Sequence, residues 1–310
     1  MLLKPWNDTD APQEIFDAFG MIGPEERRCF YWLARNCLSG EGAIVDAGAF
    51  VGASTLCFAA GAAAAGHTRL NGRPILHAYD YFAALDAYVA DAISKQFRPI
   101  KQGEAYLDIF EAQTSAYAGM IEAHSGDFLR HRWNGDAIDI LFIDVAKRAK
   151  LNSHAIGEFF PHLVPGRSIV VHQDYYHCWH PYIHISMEYF GDAFELVDEH
   201  VEHQSRVWRL VKPLPEDKIA HMRNYDLEKG ERIALLDRLI ARSSDDARPM
   251  LEVTRIWQRC MDKDFAEAKR DLRQLHLTYG APEFRHKLFM RQAAMIERDR
   301  KDLLAAAEIL

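Results

Sequence analysis

The clearest pattern in the chain is a set of short apolar runs that each end on an acid. Ala43-Ile44-Val45-Asp46 is the first, Pro74 to Asp80 the second, and Ile138 to Asp144, apolar except for Asp139, the third. Runs that are apolar throughout, without polar alternation, predict parallel strands buried on both faces. Met120 to His124 and Ser168 to Val171 add two more strands. Helical patterns over Leu56 to Ala65, Leu151 to Leu163 and Pro181 to Gly191 alternate with them, which predicts a doubly wound α/β sheet. Phe194 to Asp198 and Ser205 to Val211, joined by a polar turn, predict a closing antiparallel hairpin and bring the strand count to seven.

Around this centre the pattern changes. Pro12 to Phe19 and Pro24 to Cys37 read as two amino-terminal helices; the second has Glu25 and Glu26 in its first turn and Phe30, Trp32, Leu33 and Cys37 on its apolar face. His67 to Arg73 reads as a loop. Tyr81 to Tyr117 is a long polar and aromatic connection with room for one or two helices and a place to cap a substrate. Beyond Pro213-Leu214-Pro215 the chain is helical, with breaks at Ser243 to Asp246 and Tyr279 to Pro282. The expected organisation is amino-terminal helices over 1–40, the sheet over 41–212 and a helical extension over 213–310.

The first strand passes directly into Ala47-Gly48-Ala49-Phe50-Val51-Gly52-Ala53-Ser54-Thr55. Glycines here admit positive φ and close backbone approach, and Ser54 and Thr55 are candidates to cap the next helix. Free N–H groups of such a turn would face a ligand at the carboxyl end of the strand. The dinucleotide fingerprint G-x-G-x-x-G does not fit, because Asp46 precedes Gly48 by two and the next glycine is Gly52. An acid at that point repels a pyrophosphate and suits a cationic ligand.

This D-x-G-x-x-x-G pattern resembles the first motif of the class I S-adenosylmethionine-dependent methyltransferases, a Rossmann-like fold. The resemblance implies S-adenosylmethionine as cofactor, with Asp46, Gly48, Phe50, Gly52, Ser54 and Thr55 forming its turn. Asp80, at the end of the second strand, is placed to accept ribose hydroxyls. Asp127, after Gly126, is the implied partner of the adenine amino group, or else an N-cap for a helix at Phe128.

The third acid-ended run continues as Asp144-Val145-Ala146-Lys147. D-x-x-K here is similar to the catechol O-methyltransferase-like and macrocin O-methyltransferase-like branches. In those, the aspartate helps to hold a divalent metal and the lysine deprotonates a substrate hydroxyl. The lysine needs a lowered pKa for that role; as an exposed member of Lys147-Arg148-Ala149-Lys150 it would have none. Metal-dependent relatives follow the fifth strand with Asp-Asp or Asp-Asn, whereas this chain has Gln173-Asp174. Asp144, Gln173 and Asp174 therefore form a reduced oxygen set for a metal such as magnesium. Histidines 172, 177, 180 and 184 surround it. His177 is a second candidate base, histidine being the side chain that ordinarily titrates near neutrality. Ordinary packing of most of them, or a histidine-held transition metal, are the other readings. Tyr175, Tyr176, Trp179 and Tyr182 suit a sugar or aromatic substrate, or a core.

Charge narrows the partners. Residues 213–310 hold 19 basic and 18 acidic residues of the chain's 37 and 45, which leaves 18 and 27 in residues 1–212, a formal net charge of −9. That surface disfavours nucleic acid, whose binding depends on phosphate neutralisation. A small-molecule or glycan substrate is expected. Five scattered cysteines form neither a disulfide framework nor a zinc knuckle. No apolar stretch has the length of a membrane span, and no secretory leader pattern is present, so a cytoplasmic location is expected. The leading function is O-methylation of a sugar or secondary-metabolite hydroxyl. Its rivals are a non-catalytic protein of the same fold that binds a glycan or protein, and a metal-dependent hydroxylase-like enzyme. The helical extension would pack on the sheet domain or form a homo-oligomer.

Overall fold

The computed structural model describes residues 4–202 and 204–279. Its centre is a sheet of β1 (Ala43–Ala47), β2 (Leu76–Asp80), β3 (Ile121–Ser125), β4 (Ile138–Ile143), β5 (Ile169–His172), β6 (Phe194–Val201) and β7 (Ser205–Leu210), in the spatial order β3-β2-β1-β4-β5-β7-β6. The first five strands are parallel and the last two form an antiparallel hairpin, with β7 paired to β5. Every residue of β1, β4 and β5 is buried, which is why these three read as mainly apolar runs without polar alternation. The order reverses between β1 and β4, where a ligand crevice opens at the carboxyl ends.

One face of the sheet is covered by α1 (Glu14–Asp17), α2 (Pro24–Cys37) and α3 (Ala53–Ala64). The alanine-rich α3 lies close to α2: a side-chain carbon at Gly61 would stand 2.3 Å from the Tyr31 carbonyl oxygen. Phe30, Phe58 and Phe142 pack there with ring centroids 4.9 to 5.7 Å apart. The buried face of α2 carries Glu26, Arg27, Phe30, Tyr31, Leu33 and Ala34, while Trp32 and Cys37, expected inside, are half-buried. Glu202, in the β6–β7 turn, caps α2 by accepting from Glu25 N at 2.7 Å and Glu26 N at 3.3 Å.

Two further differences from the expected pattern are local. The loop over 67–73 contains a two-stranded hairpin, Arg69–Leu70 with Arg73–Pro74, and Met120 closes a 3₁₀ turn instead of opening β3. The long connection supplies α4 (Ala87–Gln96) and α5 (Leu107–Gln113).

The other face of the sheet carries α6 (Ala149–Phe159) and α7 (Pro181–Tyr189), and on these lie α8 (Glu216–Asn224), α9 (Lys229–Arg242), α10 (Arg248–Met261) and α11 (Phe265–Tyr279). Met222, Leu236, Leu239, Met250 and Leu251 share one core with Leu141, Ile143 and Val170. Buried Glu188 receives Arg238 at 2.6 Å and Arg242 beside it. The helical extension is thus packed on the sheet domain through α11; the break expected at 279–282 runs beyond the described residues.

Candidate active site

Four amides of the glycine turn are bonded from within. Gly48 N and Ala49 N both donate to the Tyr79 carbonyl, at 2.8 and 3.1 Å, Phe50 N donates to Asp80 Oδ2 at 3.0 Å and Gly52 N to the Ala49 carbonyl at 2.8 Å. These four are spent as donors to a ligand. Gly48 has φ +109°, and a side-chain carbon on it would lie 2.9 Å from the backbone of Asp144. Phe50 also has positive φ and packs its ring against Phe19 and Tyr106.

Asp46 is fully buried at the end of β1, and its Oδ2 accepts from Ser54 Oγ at 2.9 Å and Thr55 Oγ1 at 2.6 Å. The two hydroxyls bind this carboxylate in place of the expected backbone cap, since no side chain caps α3 and Gly52 stands at its N-cap. Burial raises the Asp46 carboxyl to about 6, against the pull of Thr55 and Ser54, with nearby Asp80 raising it further. Asp46 Oδ1 is buried without a hydrogen-bond partner.

Asp80 joins three segments. Its Oδ1 accepts from Phe82 N and from Tyr106 Oη, both at 2.8 Å, and its Oδ2 from Phe50 N. Burial raises its carboxyl and these donors oppose the rise. The Tyr81 backbone N–H bears on the same carboxylate, so Phe82, Tyr106, Phe50 and Tyr81 together match its about four acceptor positions. Tyr106 comes from the long connection, where no spacing rule marks it. Asp127 accepts from Leu129 N at 3.1 Å and caps the 3₁₀ turn Phe128–Arg130.

Lys147 bridges Asp144 and Asp174, in contact with one oxygen of each. Its side chain is 46% exposed. Burial pushes the ammonium down, but Asp144 and Asp174 outweigh burial and hold it above the usual lysine range. That direction opposes the base role expected of Lys147 and favours a donor role. Burial raises Asp144, with Lys147 opposing and Asp174 adding to the rise, while at Asp174 burial is outweighed by Lys147 and His177 and the carboxyl is lowered. Asp174 has φ +57°. Gln173 N donates to the Ile143 carbonyl at 3.1 Å, which sets Gln173 beside Asp144, and its buried Oε1 has no hydrogen-bond partner. The two carboxylates and this amide oxygen suit a hard divalent cation in donor chemistry. The ammonium of Lys147 already contacts both carboxylates.

The histidines divide. His184 is fully buried with its ring nitrogens facing the carbonyls of Tyr175 and His180, and His180 Nδ1 meets Tyr182 Oη at 2.6 Å. Burial lowers His172 and His184 to about 3 and His180 to about 4. A metal shared by His180 and His184 is excluded by those contacts. His177 stacks on His180 with centroids 5.6 Å apart, and its charge acts on Asp174. Tyr175, Tyr176 and Tyr182 are buried core, and Trp179 packs on Trp257 of α10. They do not form the sugar platform that their spacing allowed.

Residues 45–175 match the family model of a methyltransferase domain. No curated protein matches the chain. Similar solved structures include the O-methyltransferase NovP, at 17% identity and TM-score 0.48 over 63% of this chain and 83% of that one. An O-methyltransferase from Bacillus cereus, solved in complex with SAH, matches at 12% identity and TM-score 0.38 over 64% and 90%. A candidate RNA methyltransferase from Pyrococcus horikoshii matches at 13% identity and TM-score 0.37 over 66% and 91%. No helix among the described residues is long and apolar enough to cross a membrane.

Proposed function

We propose that the chain is a class I methyltransferase that methylates a hydroxyl of a small molecule, such as a sugar or secondary metabolite, with S-adenosylmethionine as donor, in keeping with the match of residues 45–175 to a methyltransferase domain. The observation that carries this reading is the set of acids at the carboxyl ends of adjacent strands: Asp46 with its buried, unpartnered Oδ1, Asp80 and Asp144. That lining suits a cationic cofactor without phosphate and opposes a dinucleotide.

When bound, S-adenosylmethionine supplies an electrophilic methyl group on a sulfonium. Asp80 would hold the ribose by giving up one of its present donors to a ribose hydroxyl, Asp127 would face the adenine, and the unpartnered Oδ1 of Asp46 would face the amino group, directly or through water. His177 takes the hydroxyl proton of the substrate, and the Lys147 ammonium, held by Asp144 and Asp174, orients the substrate oxygen. Calorimetric titration with S-adenosylmethionine and S-adenosylhomocysteine tests the reading, followed by transfer of labelled methyl to a panel of sugars and phenols. Binding of both ligands is expected; a wild-type chain that binds neither would sink the proposal.

A further inference from the structure

Away from the crevice, three side chains converge on one face of the sheet edge. His77 lies in the middle of β2, and Glu122 and His124 are two residues apart on the edge strand β3. The register sets His77 opposite Glu122 and Tyr79 opposite His124, so alternation brings all three to the same side. His77 Nδ1 and His124 Nε2 are 3.0 Å apart; the Glu122 carboxylate is 3.6 Å from the first and 3.9 Å from the second. From these distances we infer that His77, Glu122 and His124 form a binding site for a transition-metal ion of the zinc type, distinct from the Asp144 and Asp174 carboxylates.

A tetrahedral zinc ion with bonds of about 2.0–2.1 Å sets its ligand atoms about 3.3–3.4 Å apart. The three contacts straddle that value, the two to Glu122 being made by different carboxylate oxygens, so a turn of the carboxylate is needed to bring one oxygen to the ion. Both imidazoles are fixed before any ion arrives. Tyr79 stacks on His124 at 4.3 Å and 11°, and Trp133 packs edge-on against His77 at 5.0 Å. Their facing nitrogens share a hydrogen bond, and an ion would take the place of its proton. Imidazole and carboxylate together favour zinc-like ions over magnesium or calcium, which take oxygen ligands.

Two further features belong to a metal site. Glu122 is half-exposed, which gives an ion a route in. The ring of His131 lies 5.9 Å from that of His124, and its buried Nε2 has no hydrogen-bond partner, so it is the nearest group for a fourth ligand or for a metal-bound water. The ion would tie β3, an edge strand of the sheet among the described residues, to β2 and stabilise that edge.

The test is zinc titration of the full chain after chelator stripping, followed by calorimetry, with the thermal midpoint as a second readout. One zinc per chain with a Kd below about 10 µM and a raised midpoint are expected. Glu122→Ala and His124→Gln should each weaken binding at least about tenfold and cancel the thermal shift. Asp174→Ala should leave both readouts unchanged. Wild-type binding weaker than about 10 µM, or equal binding by both variants at the site, would overturn the inference, as would loss of binding in Asp174→Ala alone.

Discussion

The Phe50 amide donates to Asp80 across 3.0 Å, tying the glycine turn after β1 to the acid at the end of β2. The same carboxylate accepts from Phe82 and Tyr106, so one side chain fixes the turn, the following loop and the long connection. Asp80→Asn keeps the shape but loses the charge and one of the two acceptor oxygens. Calorimetry should show S-adenosylhomocysteine binding at least about tenfold weaker, about 1.4 kcal/mol. Unchanged affinity would remove Asp80 from the cofactor site.

Lys147 and His177 carry different proposed roles, and kinetics can separate them. His177→Gln should lower kcat by about 10²-fold or more and abolish the acidic limb of the pH–rate profile, with cofactor affinity intact. Lys147→Ala should lower kcat/KM while keeping that limb, because its ammonium is held protonated by Asp144 and Asp174. If the limb vanished in Lys147→Ala and survived in His177→Gln, the assignment would be reversed.

The strands and their acids were legible because burial on both faces forces β1, β4 and β5 to be apolar, so Asp46 and Asp144 stand out where those runs stop. What those acids bind was less legible. Ser54 and Thr55 look like helix caps from their position, yet buried Asp46 is the stronger acceptor and takes both hydroxyls. Tyr106 reaches Asp80 from 26 residues away, and no local period records such a contact. The tyrosines of 175–182 illustrate a further limit: an aromatic residue fits a substrate platform and a core equally well, and only packing decides. Lys147 shows that a motif fixes a residue's place but leaves its charge state to the neighbours.

Glu26 gives a pH signature of folding. It is 1% exposed, accepts from Ser205 Oγ at 2.6 Å and Gly23 N at 3.0 Å, and burial raises its carboxyl from 4.5 to about 8 in spite of both donors. The folded state thus keeps a proton that the unfolded chain releases from about pH 4.5 upward, so this group's contribution is complete below pH 4.5 and is lost as pH rises through about 8. Buried His172 and His184, lowered to about 3, act with the opposite sign below pH 6.5, so the comparison has to be between variants. Urea unfolding should show Glu26→Gln gaining on the wild type by about 4 kcal/mol between pH 5 and pH 9. A difference that stays flat with pH would mean that Glu26 is ionised in the folded protein.

Magnesium and the Lys147 ammonium should compete for one place. Asp144 and Asp174 each contact the ammonium, and Gln173, next to Asp174 in the chain, has a buried Oε1 without a hydrogen-bond partner. A divalent cation bridging the two carboxylates would have to displace Lys147, and Gln173 offers it a neutral oxygen where a third carboxylate would bind more strongly. Removing the lysine leaves two facing carboxylates without a counter-charge, which favours the cation in its place. Calorimetric titration should therefore give magnesium at least about tenfold higher affinity for Lys147→Ala than for the wild type, with the gain erased in the double variant with Asp174→Asn. Equal affinities in wild type and Lys147→Ala would place any magnesium site elsewhere on the chain and leave the lysine as the resident cation of this pair.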